Sequence, residues 1–266
     1  MNRIDKCFKR LRSERTKGFI AYIGAGDPNL NATKALSLEL AKSGVDILEL
    51  GVPFSDPLAD GLVNQLAAQR GLGSGTTLKG VLDTVKEIRA CSEIPIVLYI
   101  YFNLIHKYGQ EQFINAAAEA GVDGLLALDL PPEEADEYQA LMEHAGLASI
   151  WLIAPTTPEN RIQSIAQRGT GFIYYISREG VTGMRNNVSG SLCQRIGLIR
   201  EYTNLPIAVG FGVSSPEQVR QVAAECDAVV VGSAIVNQID EHGNTPELTA
   251  RVGAFVSSLT SGLKKK

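Results

Sequence analysis

Eight short apolar segments alternate with longer amphipathic ones along almost the whole chain, and this alternation constrains the fold more than any other feature. The apolar segments are rich in Val, Ile and Leu without strict polar alternation, which is typical of parallel strands buried on both faces. We predict strands at 19–24, 45–50, 96–100, 124–128, 149–154, 171–176, 206–210 and 228–232. We predict helices at 31–42, 77–90, 110–120, 132–145, 159–167, 191–202, 216–224 and 246–259.

Eight β-then-α units without a break in composition predict one (β/α)8 TIM-barrel domain over residues 1–266. A doubly wound open sheet is the alternative, because alternation alone does not establish that the sheet closes. Ile4, Phe8 and Leu11 stand at helical spacing and predict an extra N-terminal helix, and the three lysines at 264–266 predict a frayed tail. In a barrel of this class, catalytic groups lie at the carboxyl ends of the strands.

Charge and composition narrow the class of function. A formal net charge of −4 and a pI near 5.5 argue against a nucleic-acid binder, which needs a basic face. No segment has the apolar length of a membrane span, and the N-terminus lacks the apolar core of a signal peptide, so we expect a cytoplasmic protein. The four cysteines and three histidines are dispersed without metal-ligand spacing, and we expect no metal site.

The stretch ELGVPFSDPLADG carries two acids that flank a proline-rich loop. Glu49 closes a predicted buried strand, where a carboxylate is costly unless it is paired, hydrogen-bonded or used. Partial removal from water raises a carboxyl pKa and lets the group give and take a proton near neutrality. Asp60 approaches the same barrel mouth from the far end of the loop, or alternatively caps a helix at 62–70. Asp56 equally fits a role in ordering the turn.

Two glycine turns late in the chain predict a phosphate site. GFGVSSPEQV follows the seventh predicted strand, and VVVGSAIV places Gly232 and Ser233 at the end of the eighth. Barrel enzymes often bind phosphate with the loops after these two strands, although each glycine taken alone also fits a tight turn. SREGVTGMRNNVSGS, at 177–191, is long and polar, which fits either a mobile lid or a plain surface loop.

Seven motifs together resemble the family of tryptophan synthase α subunits: ELGVPFSDPLADG, PIVLYIYFN, DLPPEEADEY, APTTPENRI, SREGVTG, VGFGVSSPEQV and VVVGSAIV, in the family's order. The resemblance covers essentially the whole chain, and the first motif is its most distinctive part. It implies a barrel enzyme that cleaves indole-3-glycerol phosphate into indole and glyceraldehyde 3-phosphate in tryptophan biosynthesis. The reaction is a retro-aldol cleavage, for which the family needs no metal and no organic cofactor.

The resemblance also implies roles for particular residues. Glu49 would handle the proton for indole C3, and Asp60 would accept a hydrogen bond from the indole N–H. The implied substrate and phosphate groups are Gly183, Phe211, Gly212, Gly232, Ser233, Tyr174 and Tyr101. The implied lid residues are Arg178 and Thr182, the second of which would bond Asp60 when the lid closes. Tyr101 equally fits barrel packing.

By the same resemblance, the loop at 53–60 meets a β subunit that carries pyridoxal phosphate and receives indole, in an α2β2 assembly. The implied contact residues are Pro53, Phe54, Asp56, Pro57 and Asn103. Alternatives are a degenerate subunit that only activates its partner, a free-standing indole-releasing lyase, and another phosphate-binding barrel. The sequence departs from the family at Gly24, Leu62 and Leu128, where threonine, proline and proline are common. These departures put reaction rate and loop rigidity in question rather than reaction type.

Overall fold

Eight parallel strands close into one barrel in the computed structural model, which describes residues 2–177, 188–210, 212–243 and 245–263. Each strand pairs with the next, and β1 pairs with β8. The strands are β1 Gly18–Gly24, β2 Ile47–Gly51, β3 Ile96–Ile100, β4 Gly124–Ala127, β5 Ala148–Ile153, β6 Ile173–Ile176, β7 Ile207–Gly210 and β8 Ala228–Val231. The closed barrel confirms the predicted fold class, and the open sheet is wrong.

Helices surround the strands along the described part of the chain. They are α1 Arg3–Glu14, α2 Leu30–Lys42, α3 Leu62–Gly73, α4 Leu78–Arg89, α5 Phe102–Tyr108, α6 Gln110–Ala120, α7 Asp136–Ala145, α8 Glu159–Arg168, α9 Val188–Tyr202, α10 Pro216–Ala223, α11 Ser233–His242 and α12 Leu248–Thr260. Short 3-10 turns lie at Pro132–Glu134 and Ser261–Leu263. Of residues 188–191 only the backbone is described.

Two helices that the sequence pattern did not predict lie directly after strands. The helix α5 begins at Phe102, two residues after β3 ends, and α11 begins at Ser233, two residues after β8 ends. The helix α5 has only seven residues, and the apolar start of α11 continues the apolar strand β8, so neither helical period stands out in the sequence. The predicted helix at 132–145 also divides, because a 3-10 turn at its proline-led start precedes α7.

Side chains alternate along each strand between the barrel interior and the surrounding helices. The interior cluster includes Ile20, Ile47, Val97, Leu126, Ile150, Phe172, Tyr174, Ala208, Ala228 and Val230. Glu49 follows Ile47 by two residues and therefore points to the same side, one layer closer to the carboxyl ends. In the ladder it stands beside Tyr22 of β1 and Val97 of β3. The strand pairing thus delivers a carboxylate into the barrel mouth.

The helix α1 closes the opposite, amino end of the barrel, and the predicted N-terminal helix is confirmed. Its buried residues Ile4, Phe8 and Leu11 have the helical spacing seen in the sequence and pack under the interior cluster. The Asn2 side chain caps the helix and donates to the carbonyl of Asp123 at 2.6 Å. With the amino end covered, ligands reach the interior from the carboxyl end.

Two surveys of the described residues bear on the class of protein. Within those ranges, no helix combines the length and apolar character needed to cross a membrane. Over the same ranges, no three or more His, Cys, Asp or Glu side chains are grouped so as to hold a metal ion. The predicted frayed tail at 264–266 lies outside the described residues.

Candidate active site

A cavity of about 500 Å³ opens at the carboxyl end of the barrel. It brings together six residues singled out from the sequence: Glu49, Asp60, Tyr174, Gly212, Gly232 and Ser233. The rest of its wall is Tyr22, Ala59, Gly61, Asn64, Tyr99, Leu128, Leu152, Ile176, Ser177, Gly210, Val213 and Val230. Two acids therefore face a mainly apolar and aromatic chamber that has backbone-rich turns at its other side.

Glu49 is buried without a partner. Its side chain is 1% exposed, and neither carboxyl oxygen has a hydrogen-bond partner among the described residues. Burial, and secondarily the negative charge of Asp60, raises the pKa of Glu49 from 4.5 to about 8. An isolated carboxylate in such a place is unfavourable, so the group keeps its proton through neutral pH. Glu49 is thus a proton donor aimed into the cavity.

Asp60, in contrast, is held by two hydroxyl groups. The Tyr99 hydroxyl donates to Oδ1 at 2.7 Å, and the Tyr101 hydroxyl donates to Oδ2 at 2.8 Å. The Asp60 side chain does not cap α3: Gly61 is the N-cap residue and makes no side-chain cap bond. Both oxygens accept hydrogen bonds, which suits an ionised carboxylate at the edge of the cavity.

Tyr101 lies behind Asp60 rather than on the cavity wall. Its hydroxyl also accepts a hydrogen bond from the Ala59 N–H at 2.9 Å. The ring of Phe54 packs against the Tyr101 ring with centroids 5.0 Å apart. Tyr101 therefore ties both ends of the loop at 54–60 to the end of β3.

The turns after β7 and β8 present backbone groups to the cavity. Gly232 is the N-cap residue of α11, and Ser233 opens the helix. The N–H groups in the first turn of a helix lack intrahelical partners and favour an anion. Gly212 has a φ of +63°, which L side chains rarely adopt, and no atom lies within 4 Å of the place its Cβ would take. The arrangement fits a phosphate group at this side of the cavity.

Comparison with known proteins identifies this architecture. The family model for the tryptophan synthase alpha chain matches residues 8–263. The tryptophan synthase alpha chain of Opitutus terrae is 53% identical over 266 residues, covering 100% of both chains. The crystal structure of tryptophan synthase subunit alpha from Legionella pneumophila is 40% identical with a TM-score of 0.92, covering 99% of this chain and 98% of that one. A chain in a tryptophan synthase crystal structure from M. tuberculosis is 30% identical with a TM-score of 0.89, covering 99% of this chain and 100% of that one.

The chain belongs to the tryptophan synthase alpha chain family. The resemblance noted in the sequence is thereby confirmed, and with it an enzyme of the lyase class. Members of this family cleave indole-3-glycerol phosphate, need no cofactor of their own and pair with a β subunit.

Several residues that the family resemblance singled out lie outside the described residues, and their predicted roles stay predictions. They are Arg178, Thr182, Gly183 and Phe211. Ser177, the last described residue before that gap, lies on the cavity wall. Its backbone N–H donates to the Gly210 carbonyl at 2.8 Å, so the segment after β6 leaves from the cavity rim.

The sequence reasoning missed three polar residues on the wall: Tyr22, Tyr99 and Asn64. Strand parity was the available signal, because Tyr99 stands two residues before Tyr101 and therefore on the same side of β3. The Tyr22 hydroxyl lies where a side chain at Gly51 would be, since an added Cβ there would come within 2.2 Å of it. Gly51 thus makes room for the Tyr22 ring above Glu49.

Two of the three departures from the family pattern lie off the cavity wall, within the described residues. Leu128 is part of the wall. Gly24 instead packs on α3, where its added Cβ would lie 3.3 Å from that of Ala67. Leu62 is 70% exposed on the outer side of α3. A position beside the substrate pocket would have let these two departures affect reaction rate, and neither Gly24 nor Leu62 has that position.

The residues predicted to meet a β subunit differ in exposure. Asp56 and Asn103 are exposed, Phe54 and Pro57 are half-buried, and Pro53 is buried. Beside them, Leu58 is 83% exposed. Leu58 and Leu62 give the rim next to Asp60 an apolar surface that the described residues leave exposed.

Proposed function

We propose that the family's cleavage of indole-3-glycerol phosphate proceeds in this chain with Glu49 as the proton-transfer group and Asp60 as the charge-stabilising group. One observation supports the proposal above the others: Glu49 is buried in the cavity with no hydrogen-bond partner among the described residues, and its pKa is raised to about 8. A group that holds its proton at neutral pH and faces the substrate chamber is suited to general acid catalysis.

The reaction needs two proton movements. Indole is a poor carbanion leaving group, so C3 takes a proton from Glu49 first, which places positive charge on the ring. The bond from C3 to the hydroxyl-bearing carbon then breaks, and its electron pair restores the neutral indole. The hydroxyl on that carbon loses its proton to the Glu49 carboxylate and becomes the aldehyde of glyceraldehyde 3-phosphate. One carboxyl group serves both steps and ends protonated as it began.

Asp60 acts on charge rather than on a proton in this proposal. It accepts a hydrogen bond from the indole N–H, where positive charge develops once C3 is protonated. A carboxylate fixed by Tyr99 and Tyr101 before the reaction needs little rearrangement when that charge appears.

The phosphate group of the substrate is assigned to the opposite side of the cavity. Gly212, Gly232 and Ser233 offer backbone N–H groups and one hydroxyl there, and Gly183 and Phe211 are proposed from the family resemblance. The aromatic Tyr174 would pack along the substrate between the two ends. Arg178 and Thr182 are proposed to close over it.

The partner is proposed to be a β subunit that carries pyridoxal phosphate, in an α2β2 assembly in the cytoplasm. Support comes from the exposed Leu58 and Asp56 on the loop that also carries Asp60. Phe54 links this surface to the site, because its ring packs on Tyr101, which holds Asp60. Asp56→Ala should weaken stimulation by β at least several-fold in a titration, whereas Glu93→Ala at the amino end of the barrel should not.

The deciding experiment measures indole released from indole-3-glycerol phosphate by the purified chain, alone and with a β subunit. We expect indole in both cases and a higher rate with β. Gly212→Val should raise KM, because valine disfavours a positive φ and crowds the anion site. Stimulation of β without indole release at any concentration would support the degenerate activator instead, and a rate unaffected by β would support the free-standing lyase.

A further inference from the structure

The carboxylate of Asp60 sits on a loop but is fastened to a strand. Both donors, Tyr99 and Tyr101, come from the end of β3 and stand two residues apart, so their rings project to the same side. Each takes one oxygen of the carboxylate, at 2.7 and 2.8 Å. A two-point attachment fixes the rotation of the carboxyl group as well as its position.

The two tyrosines are not equivalent. Tyr101 also accepts the Ala59 N–H and packs on Phe54, so it anchors the loop as a whole. Tyr99 lies on the cavity wall, and its ring meets Tyr22 edge to face with centroids 5.1 Å apart. Among the described residues, the Tyr99 hydroxyl donates its hydrogen bond to Asp60. Removing that hydroxyl changes the hold on Asp60 while it leaves the loop anchor and the wall in place.

We propose that Tyr99 is a positioning residue that aims the Asp60 carboxylate at the substrate. The inference rests on the proposed function of Asp60 and deepens it, since it names how this chain fixes that group before a substrate or a partner binds.

The hydroxyl of Tyr99 remains protonated and can donate a hydrogen bond throughout the neutral pH range. Burial, and next the negative charge of Asp60, raises the pKa of Tyr99 well above its ordinary value. The hydroxyl therefore stays neutral and keeps its proton for Asp60 over the whole range in which enzymes work. Hydrogen bonds from neutral hydroxyls to an ionised carboxylate are short and strong, which agrees with the 2.7 Å separation.

Tyr99→Phe tests the inference, because it removes one hydroxyl and keeps the ring. We expect kcat to fall about tenfold or more, the scale of one hydrogen bond to a charged group, while KM stays within about twofold. The variant should stay folded, and its unfolding midpoint should fall only modestly, because the ring stays packed and one hydrogen bond is lost. The matched control is Tyr202→Phe, which removes another tyrosine hydroxyl bonded to a carboxylate, that of Glu159 at 2.5 Å, on the outer surface. It should leave kcat and KM as in the parent chain.

The outcomes separate this inference from the proposed function. A Tyr99→Phe enzyme with the parent kcat overturns the inference, and so does one whose KM rises at constant kcat, because Tyr99 would then serve only as cavity wall. Asp60→Asn is measured in the same assay. If Asp60→Asn loses kcat and Tyr99→Phe does not, only the inference fails. If Asp60→Asn keeps the parent kcat, the proposed function of Asp60 fails and the inference fails with it.

Discussion

Two buried carboxylates near opposite ends of the barrel, Asp123 and Glu49, have opposite surroundings. Asp123, at the amino end, is 3% exposed and fully engaged: it accepts from the Ile96 N–H, from Arg89 and from Arg3. Glu49, toward the carboxyl end, is 1% exposed and engaged by none of the described residues. Desolvation raises both pKa values, but at Asp123 the amide and the two arginines oppose it.

This difference separates a structural carboxylate from a candidate catalytic one in this fold. A buried carboxylate that is paired and hydrogen-bonded contributes to structure. A buried carboxylate left alone destabilises the folded chain when ionised, and such groups persist at functional sites. Asp60 is intermediate, because it is held by neutral donors and still faces the cavity. The proposed reaction site is the cavity end, where Glu49 has no hydrogen-bond partner among the described residues.

Of the substitutions considered, Glu49→Gln should have the largest effect on activity. Glutamine keeps the shape of the side chain and removes the transferable proton, so kcat for indole release should fall roughly 10²- to 10⁴-fold. The folded structure should persist, because no hydrogen bond of the described residues is lost. A folded Glu49→Gln enzyme with near-parent kcat would remove Glu49 from the proton-transfer role.

The raised pKa of Glu49 makes the stability of the folded chain depend on pH. Its folded pKa of about 8 lies above the ordinary 4.5, so between these values the folded chain holds a proton that the unfolded chain has released. Stability therefore falls as pH rises through this window and levels above it, in total by on the order of 5 kcal/mol. The Glu49→Gln variant has no carboxyl group at this position and therefore lacks this pH-dependent loss of stability.

Denaturant unfolding of the parent and of Glu49→Gln across pH 5 to 9 measures the effect. The free energy of unfolding of the variant should gain on that of the parent with each step upward in pH until about pH 8. A constant difference between the two curves would mean that Glu49 ionises normally in the folded chain.

Asp123→Ala, at the amino end, should lower stability and leave the activity of the folded enzyme unchanged. It leaves the Ile96 N–H without its acceptor and Arg89 without its carboxylate, although Arg89 keeps the carbonyls of Gly121, Ser92 and Ile94. Because those carbonyls partly compensate, we expect a loss of roughly 2–3 kcal/mol in unfolding free energy, below the full cost of breaking a buried pair. The kcat of the folded variant should match the parent.

Glu93→Ala is the matched control for this end, since Glu93 binds Arg3 at the surface with its side chain 80% exposed. It should cost less than about 1 kcal/mol. A loss as large as that of Asp123→Ala would mean that burial does not explain the contribution of Asp123.

The sequence predicted the barrel and the acids because both have local signals. Parallel strands buried on both faces produce apolar segments, and Glu49 stood out as a charge at the end of one of them. The helices α5 and α11 were not predicted because each follows an apolar strand after a single intervening residue, which hides where the helical period begins. Strand bounds shifted by one to two residues, as at β2, where the strand begins at Ile47 rather than 45.

The missing parts of the site depend on contacts across strands. The segment IVLYIY gives no sign that its first tyrosine, Tyr99, donates to Asp60, which lies 39 residues away in the sequence. The pairing of β3 with β2 and the path of the loop bring the two side chains together. Likewise, the lack of a hydrogen-bond partner for Glu49 among the described residues depends on its surroundings, and only the packed barrel reveals it.

Titration of the Glu49 carboxyl group itself tests directly whether burial keeps this group protonated at neutral pH. Glutamate labelled with ¹³C at the side-chain carboxyl gives one resonance per residue, and the Glu49 resonance is the one missing from Glu49→Gln. We expect a midpoint near pH 8 for that resonance in the free enzyme. A midpoint below about pH 5, with the carboxylate ionised throughout the neutral range, would contradict it.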